Sequence, residues 1–198
     1  MKQAVRYFRA IWLAAALFVP TLRAGELTVD LDPAKTQIAF VLTDVLHTVH
    51  GTFQLKQGHI SVGPAAGAIG GEIVVDAASG ASGSAARDRR MTREILEAQR
   101  YPEIRFTLTR FAGSLSFSNA STLRVTGSFL IHGQAHEITI PMQIQMSEGE
   151  IRAIGKFIVP YVQWGMRNPS DFILKVNDKV EIEVTAVGHV SGSSTPGT

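Results

Sequence analysis

Hydrophobic and polar residues alternate along most of this chain. Between residues 121 and 132, apolar Leu123 and Val125 are separated by polar neighbours, and the runs 136–147 and 178–190 repeat the pattern. Period-2 alternation of this length predicts strands with one buried face and one solvent-facing face, as in antiparallel sheets. We predict about eight strands, the first range being an edge extension, near 27–32, 36–46, 51–62, 68–77, 103–112, 121–132, 136–147, 151–160 and 178–190.

Short turn signals separate these strands, including Gln57-Gly58, His132-Gly133 and residues 147–149. Hairpin connections at this regular spacing predict a closed barrel or a sandwich. The buried faces would fill the core of a sandwich. In a barrel of about eight strands they would line an interior wide enough for side chains or one slender ligand. The alternation leaves both architectures open.

One charged segment departs from the alternation and predicts a helix over about 86–99. Met91, Ile95 and Leu96 recur at helical spacing among arginines and glutamates. Tyr101-Pro102 should end the helix, because the residue before a proline is driven towards extended geometry. The segment just before the helix, 77–85, is rich in Ala, Gly and Ser and is predicted to be a loop.

Arg87 and Asp88 open the predicted helix. We expect them to cap it and to tie it to a neighbouring strand, since a carboxylate is favourable near a helix N-terminus. An anion site for the head group of a ligand is the alternative.

Residues 1–24 have the pattern of a cleaved signal peptide. Lys2, Arg6 and Arg9 precede an uncharged apolar run, 10–19, and a cleavage site before Gly25. That run is about ten residues, whereas a membrane-spanning helix needs roughly 20. The mature chain is therefore expected to be exported, to the periplasm or beyond, without a transmembrane segment. It would comprise one domain, 25–190, and a disordered tail, 191–198.

Removal of the leader changes the charge balance. The full chain has 19 basic and 17 acidic residues, and the leader holds four of the basic ones and no acid. The mature chain thus has 15 basic against 17 acidic residues, a net charge of −2. No basic stripe interleaved with aromatic residues remains, which excludes a nucleic-acid surface. The chain has no cysteine, so an exported domain must be held together by its core.

Candidate chemistry is sparse, and we expect neither an enzyme nor a bound metal or cofactor. The sequence has no G-x-S-x-G and no H-E-x-x-H. His47 and His50, with Asp44 nearby, are a possible pair of metal ligands, although residues three apart on a strand point to opposite faces. His132 and His136 flank a turn and are expected to be exposed.

The N-terminal and helical segments together resemble the YceI-like family. The family's charged helix start and Y-P-x-x-x-F strand entry match Arg87-Asp88, Tyr101-Pro102 and Phe106. Gly51-Thr52-Phe53 matches its G-x-F element, and the hairpin glycines and W-G-hydrophobic element lie at Gly127, Gly133 and 164–166. The resemblance covers residues 26–190.

This resemblance implies a mainly β fold, a single antiparallel lipocalin-like β-barrel of about eight strands with one helix packed against it. It implies a periplasmic or secreted carrier that holds a long-chain apolar molecule, such as an isoprenoid, a quinone or a fatty-chain amphiphile. Family members are often dimeric, so a homodimer is one expected assembly. The alternatives are a metal-assisted envelope enzyme using His47 and His50, or an envelope module filled by its own side chains.

Ten long apolar side chains on the buried faces and in the 162–178 segment are the predicted lining of the ligand cavity, since such pockets are mostly apolar. They are Phe40, Leu42, Phe53, Phe106, Leu108, Phe129, Ile131, Phe157, Trp164 and Met166.

Overall fold

The computed structural model describes residues 27–43, 47–63, 67–116, 118–170 and 175–192, and nine β-strands account for most of them. The strands are β1 (Leu27–Leu31), β2 (Gln37–Thr43), β3 (Thr48–Val62), β4 (Ile69–Ala81), β5 (Glu103–Ala112), β6 (Ser121–Ile131), β7 (Gln134–Ser147), β8 (Glu150–Val159) and β9 (Val180–Ser191). The predicted leader, Asp44 and residues 193–198 of the predicted tail lie outside the described residues.

All nine strands form one antiparallel sheet that closes on itself. The order is β1-β3-β2-β9-β8-β7-β6-β5-β4, and β4 pairs back with β3. The strands β1 and β2 both lie between β3 and β9, one after the other in the same direction. They therefore occupy one position in an eight-stranded ring. The barrel prediction is confirmed, and the sandwich alternative is excluded.

The interruption between β1 and β2 is bonded to the wall by Thr36. Its hydroxyl accepts a hydrogen bond from Val187 N at 3.1 Å and donates one to Val187 O at 3.2 Å. Leu31 covers Gly58 of β3, where a Cβ would lie 2.6 Å from the leucine side chain. The Thr36 hydroxyl, together with Asp32 N, which donates to Val187 O at 2.8 Å, thus supplies hydrogen bonds in place of the ladder that an unbroken strand would make.

The helix is shorter than predicted. It comprises α1 (Ala85–Arg90) and a π-helical turn, Met91–Ile95, and not residues 86–99. It ends before the Tyr101-Pro102 signal because Glu97 has φ +46°, a left-handed conformation that stops helix propagation. Leu96 N donates to Met91 O, which completes the final π turn.

The predicted loop over 77–85 was wrong in its first half, because β4 continues to Ala81. Small residues are needed there for packing. A Cβ on Gly80 would lie 2.3 Å from the Met91 side chain and 2.8 Å from that of Phe53. The small residues that indicated a flexible loop instead let the helix lie close against the strand.

The chain connections define two ends of the barrel. The helix end carries α1, the β6–β7 hairpin and the segment 160–170. The turn end carries the β7–β8 turn, at Glu148 and Gly149, and the 113–120 connection. No helix among the described residues is long and apolar enough to span a membrane.

Candidate functional site

The barrel encloses a cavity of about 590 Å³. This volume lies within the range of small-molecule sites, roughly 300–1,000 Å³. Inward positions of every strand supply its walls, because side chains alternate between the two faces of a strand. On β8, for example, Ile151, Ala153 and Phe157 line the cavity, whereas the side chain of Ile154 is on the outer face.

The cavity is elongated along the barrel. Val49 and Val62 both line it from β3, close to the helix end and the turn end respectively. They are thirteen residues apart, a separation of roughly 40 Å along an extended strand at about 3.3 Å per residue. The tilt of barrel strands shortens the axial length. The shape suits a long, thin ligand better than a compact one.

Nine of the ten predicted lining residues border this cavity, all of them except Trp164. Two aromatic pairs stand out among them. The ring centroids of Phe40 and Phe53 are 5.4 Å apart, and those of Phe129 and Phe157 are 5.7 Å apart. Their contact with a ligand stays a prediction, since the cavity shows where these side chains lie and not what they bind.

Trp164 does not border the cavity and packs instead against His136 and Phe129 at the helix end. Its ring stacks on that of His136 with centroids 4.0 Å apart and planes inclined by 6°, and its centroid is 5.9 Å from that of Phe129. His136 was expected to be exposed, but it is half-buried, and its Nε2 has no hydrogen-bond partner among the described residues. The neighbouring turn signal predicted an exposed His136, although its position continues the inward face of β7.

Sequence reasoning also missed cavity residues on β4. Ile73 and Val75 line the cavity, while Val74, only 2% exposed, is absent from its lining. Val74 lies beside Arg105 in the β4–β5 ladder. In an unbroken apolar run, alternation cannot show which side chains face inward. Only the register with β5 could have assigned these residues to their faces.

Two polar groups of the lining are already satisfied. Thr36 is bonded to Val187, and the Tyr161 hydroxyl donates to Asn177 O at 2.7 Å. Burial raises the pKa of Tyr161 to about 12, because the phenolate would lose its hydration, and Asp178 adds to the shift. Neither hydroxyl needs a ligand.

Three arginines also border the cavity, namely Arg87, Arg90 and Arg105. The guanidinium of Arg105 is engaged in an ionic network with Glu103 and Glu72, and Glu103 also pairs with Lys56 at 2.8 Å. The hydrogen bonds from Lys56 and from Arg105 hold the pKa of the Glu103 carboxyl below its usual value. Arg105 therefore has its charge compensated outside the cavity.

Arg87 and Asp88 tie the helix to the end of β4 through Ser82. The Asp88 carboxylate accepts hydrogen bonds from Ser82 N, at 2.8 Å, and from the Ser82 hydroxyl. Arg87 donates from Nε to Ser82 Oγ at 2.7 Å and from Nη2 to Ser82 O at 2.9 Å. The predicted tie to a strand is thus present. Ser84 is the N-cap residue, however, and its side chain makes no capping bond.

A second contact holds the far end of the helical segment. His132 Nε2 lies 3.0 Å from Glu97 Oε1, and the His132 ring packs on Tyr101 with centroids 4.8 Å apart. Both Glu97 and His132 have positive φ, +46° and +50°. Non-glycine residues adopt this conformation at a cost, so packing at this point maintains it.

Among the residues that the structure describes, the histidines of the alternative metal site do not form a three-ligand cluster. His50 is an exposed residue of β3 opposite Val41, and His47 is exposed just before that strand. The third candidate ligand, Asp44, lies outside the described residues. Within the described part of the chain, no group of three His, Cys, Asp or Glu side chains is placed to hold a metal ion.

Several known structures share this fold. Burkholderia cenocepacia BcnA is 19% identical, with a TM-score of 0.66 over 79% of this chain and 98% of its own. A polyisoprenoid binding domain from Saccharophagus degradans, implicated in plant cell wall breakdown, is 16% identical, with a TM-score of 0.68 over 82% and 98%. The Campylobacter jejuni YCEI protein is 13% identical, with a TM-score of 0.53 over 98% and 99%.

At these identities the structural likeness shows the fold alone. No curated protein matches the chain significantly. The family model of the YceI-like domain, in contrast, matches residues 30–187, which is most of the chain and the whole barrel apart from its first and last few residues. The chain belongs to the YceI-like family.

Proposed function

We propose that this protein binds one long-chain apolar molecule, an isoprenoid, a quinone or a fatty-chain amphiphile, inside its barrel. The observation that carries the proposal is the elongated cavity of about 590 Å³, which is lined almost entirely by aliphatic and aromatic side chains. Each methylene buried in such a cavity contributes about 0.8 kcal/mol, so ten contribute about 8 kcal/mol before the costs of association. A slender chain can therefore bind well with few polar contacts.

Family membership supports the same ligand class. The S. degradans domain of similar fold is a polyisoprenoid binding domain, and this chain has the same architecture around its own apolar cavity. Binding rather than catalysis is supported by the lining itself. Its polar hydroxyls are bonded to backbone carbonyls, and no histidine or carboxylate is among the described lining residues.

The proposal includes export. The predicted leader over 1–24 would deliver the barrel to the periplasm or the exterior, where a carrier can shield a lipid from water between membranes. Assembly into a homodimer is part of the expectation and is measured by light scattering of the mature protein.

The test is mass spectrometry of an organic extract of the mature protein, purified natively after expression with its own leader. We expect one long-chain species at a stoichiometry near one. The matched variants are Ala153→Trp, which blocks the turn-end part of the cavity to a long chain, and Ile154→Trp, which adds the same side chain at an outer-face position that is 39% exposed.

Ala153→Trp should lose the extracted species, and Ile154→Trp should retain it. If folded wild-type protein yields no lipid, even after incubation with membrane extracts, the proposed function is wrong. Equal recovery from both variants would show that the lipid does not occupy the cavity beside Ala153, and it would contradict a chain that runs the length of the barrel.

A further inference from the structure

The helical segment over 85–95 has an exposed side as well as the side that borders the cavity. Ala85, Arg89 and Arg93 follow one another at a spacing of four, which places their side chains on one side of a helix, and all three are exposed. Met91 and Ile95, which border the cavity, lie on the opposite side. The exposed side therefore forms part of the outer surface of the barrel at its helix end.

This outer surface is more basic than the rest of the protein. Residues 87–100 hold five arginines and three acidic residues, a net charge of +2, whereas the mature chain has a net charge of −2. Arg167, exposed in the segment that follows β8, adds a further positive charge beside the helix, 3.5 Å from Glu94. The excess of positive charge is thus confined to one end of the molecule.

Arg89 and Arg93 are not compensated by the acidic residues around them. The partners of those acidic residues are Ser82 for Asp88, the two arginines Arg90 and Arg167 for Glu94, and His132 for Glu97. Among the residues that the structure describes, no carboxylate lies within ion-pair distance of Arg89 or Arg93. Like charges four residues apart on a helix repel each other, so this pair weakens the helix slightly. A partner outside the chain explains the pair better than folding does.

An anionic lipid bilayer matches this surface in its chemistry. Every basic residue of the surface is an arginine, and the planar guanidinium group forms paired hydrogen bonds with phosphate oxygens. The exposed arginines are spread over one side of a helix and a neighbouring segment, not gathered in a pocket. That distribution suits a flat array of lipid head groups better than a single small anion.

The position of the surface favours the same partner. The helical segment separates the cavity from the exposed arginines, because Met91 and Ile95 line the cavity from its inner side. A barrel that lies on a bilayer through this surface would place one end of its apolar cavity next to the membrane.

We propose that the exposed side of this helical segment docks on an anionic lipid bilayer, with Arg89, Arg93 and Arg167 in contact with the head groups. Docking itself needs no molecule in the cavity. Exchange of a long-chain molecule with the membrane in this position rests on the proposed function. Because the attraction is electrostatic, docking is reversible and weakens as salt rises.

Vesicle flotation tests the docking. The mature protein is mixed with vesicles of phosphatidylcholine alone, or of equal parts phosphatidylcholine and phosphatidylglycerol, at low and at high salt. We expect partitioning onto the anionic vesicles to be at least about thirtyfold stronger at low salt, and this preference to be lost at high salt. Without a basic surface, a protein of net charge −2 would show no such preference.

The informative variant combines Arg89→Gln with Arg93→Gln. It should weaken partitioning onto anionic vesicles about twenty-five-fold, since each arginine near such a surface contributes about fivefold. Arg167→Gln, on a different segment, should weaken it about fivefold by the same reasoning. Melting temperatures show that the variants are folded.

The matched control combines Arg124→Gln with Arg152→Gln. Both arginines are exposed on strands at the turn end, and neither has an ion-pair partner among the described residues. The control removes the same charge as the helix variant and should leave partitioning unchanged. Ala153→Trp should also dock like the wild type, because docking does not depend on the contents of the cavity.

The outcomes separate the two proposals. Equal partitioning onto neutral and anionic vesicles overturns the docking surface and leaves the proposed function standing. An equal loss in the helix variant and the turn-end control also overturns it, because overall charge would then explain the attraction. Displacement from anionic vesicles by polyglutamate at an equal concentration of charge would identify an acidic polypeptide as the partner instead. A protein that docks but yields no lipid on extraction contradicts the proposed function and leaves the docking surface standing.

Discussion

The two ends of this barrel border the same cavity with different chemistry. At the turn end the lining comes from apolar side chains such as Leu27, Val62 and Met146. The charged pairs on the neighbouring strands, Asp30–His59 at 2.7 Å and Lys35–Glu150 at 2.8 Å, are all solvent-exposed. At the helix end three arginines join the lining, Arg87 and Arg90 from α1 and Arg105 from β5. The cavity therefore has charged side chains at its helix end and apolar side chains alone at its turn end.

The difference follows from the two kinds of secondary structure. On a strand, neighbouring side chains point to opposite faces, so the charged neighbour of an inward residue is carried to the outside. A helix has no such restriction. Residues at i, i+3 and i+4 share a side, and the helical segment accordingly presents Arg87 and Arg90 of α1 and Met91 of the π-helical turn to the cavity together. A helix across one end of a barrel is thus a simple way to add charge to an apolar interior.

The largest expected effect concerns the length of ligand chain that the cavity can hold between the helix end and the turn end. For fatty acids of increasing length, affinity should rise about fourfold per methylene, because each contributes about 0.8 kcal/mol, until the chain meets the turn end. Ala153 lies on β8 only three residues from the β7–β8 turn, so Ala153→Trp should halt this rise at a shorter chain. Calorimetric titration of the series measures both limits.

Ile154→Trp is the control for that series and should reproduce the wild-type dependence on chain length. An affinity that is independent of length in the wild type would show that the chain does not enter the cavity. The same limit in wild type and Ala153→Trp would confine the ligand to the helix-end half.

The next largest effect is expected on stability, where the turn-end and helix-end halves of the wall meet between β1 and β2. Thr36 lies between β1, in the turn-end half, and β2, in the helix-end half, and is only 8% exposed. Thr36→Val keeps the shape but leaves Val187 N without the acceptor that the Thr36 hydroxyl provides, while Val187 O keeps the hydrogen bond from Asp32 N. The free energy of unfolding should therefore fall by about 1–3 kcal/mol. Urea denaturation measures this loss.

Thr28→Val removes a hydroxyl that donates to Ser191 O at a more exposed site, and it should cost less than about 0.5 kcal/mol. Equal costs for the two variants would mean that the Thr36 bonds are not needed to hold the interrupted strand in the wall.

Two histidine–carboxylate pairs allow a direct comparison of the ends. His132 contacts Glu97 at the helix end with 14% of its side chain exposed, whereas His59 contacts Asp30 on β1 with 62% exposed. His132→Asn keeps a residue that tolerates positive φ but loses the Glu97 and Tyr101 contacts, so it should cost about 1 kcal/mol. His59→Asn should cost close to nothing, as is usual for exposed pairs.

Hydrogen exchange distinguishes a local from a global effect. In His132→Asn, amides of residues 91–101 should exchange faster while those near the turn end keep their protection. Uniformly faster exchange throughout the barrel would contradict the role of His132 as a local anchor of the helical segment.

Most of the barrel could be predicted because alternation records burial directly. The inward faces of β5, β6 and β8 were identified from period 2 alone, as Phe106, Phe129 and Phe157 illustrate. Where the alternation fails, prediction failed with it. The run Ile73-Val74-Val75 has no apolar–polar alternation. Its inward and outward positions follow only from its register with β5, a partner about thirty residues further along the chain.

The helix end was predicted less well because its geometry depends on contacts distant in sequence. The helical segment ends early because Glu97 has a positive φ, which the contact with His132 helps to maintain. No local sequence pattern predicts that contact. The position of Arg90 beside the cavity was equally hard to predict. In the sequence it is one of several arginines on a charged helix, and only its position across the end of the barrel places it beside the cavity.

The smallest expected change in stability at the helix end comes from removing the Tyr161 hydroxyl. Its hydroxyl bond to Asn177 O is worth about 1 kcal/mol, so Tyr161→Phe should cost about that much near neutral pH. Burial raises its pKa from 10.0 to about 12, so the folded state favours the neutral phenol. The resulting stability is fully present below pH 10 and is lost as pH rises towards 12. The cost of Tyr161→Phe should therefore shrink in that interval, as measured by urea denaturation at each pH.

Ultraviolet titration of the mature protein should show one tyrosine that ionises near pH 12 and is missing in Tyr161→Phe. Ionisation of both tyrosines of the mature chain near pH 10 would contradict the burial of Tyr161 in the cavity wall.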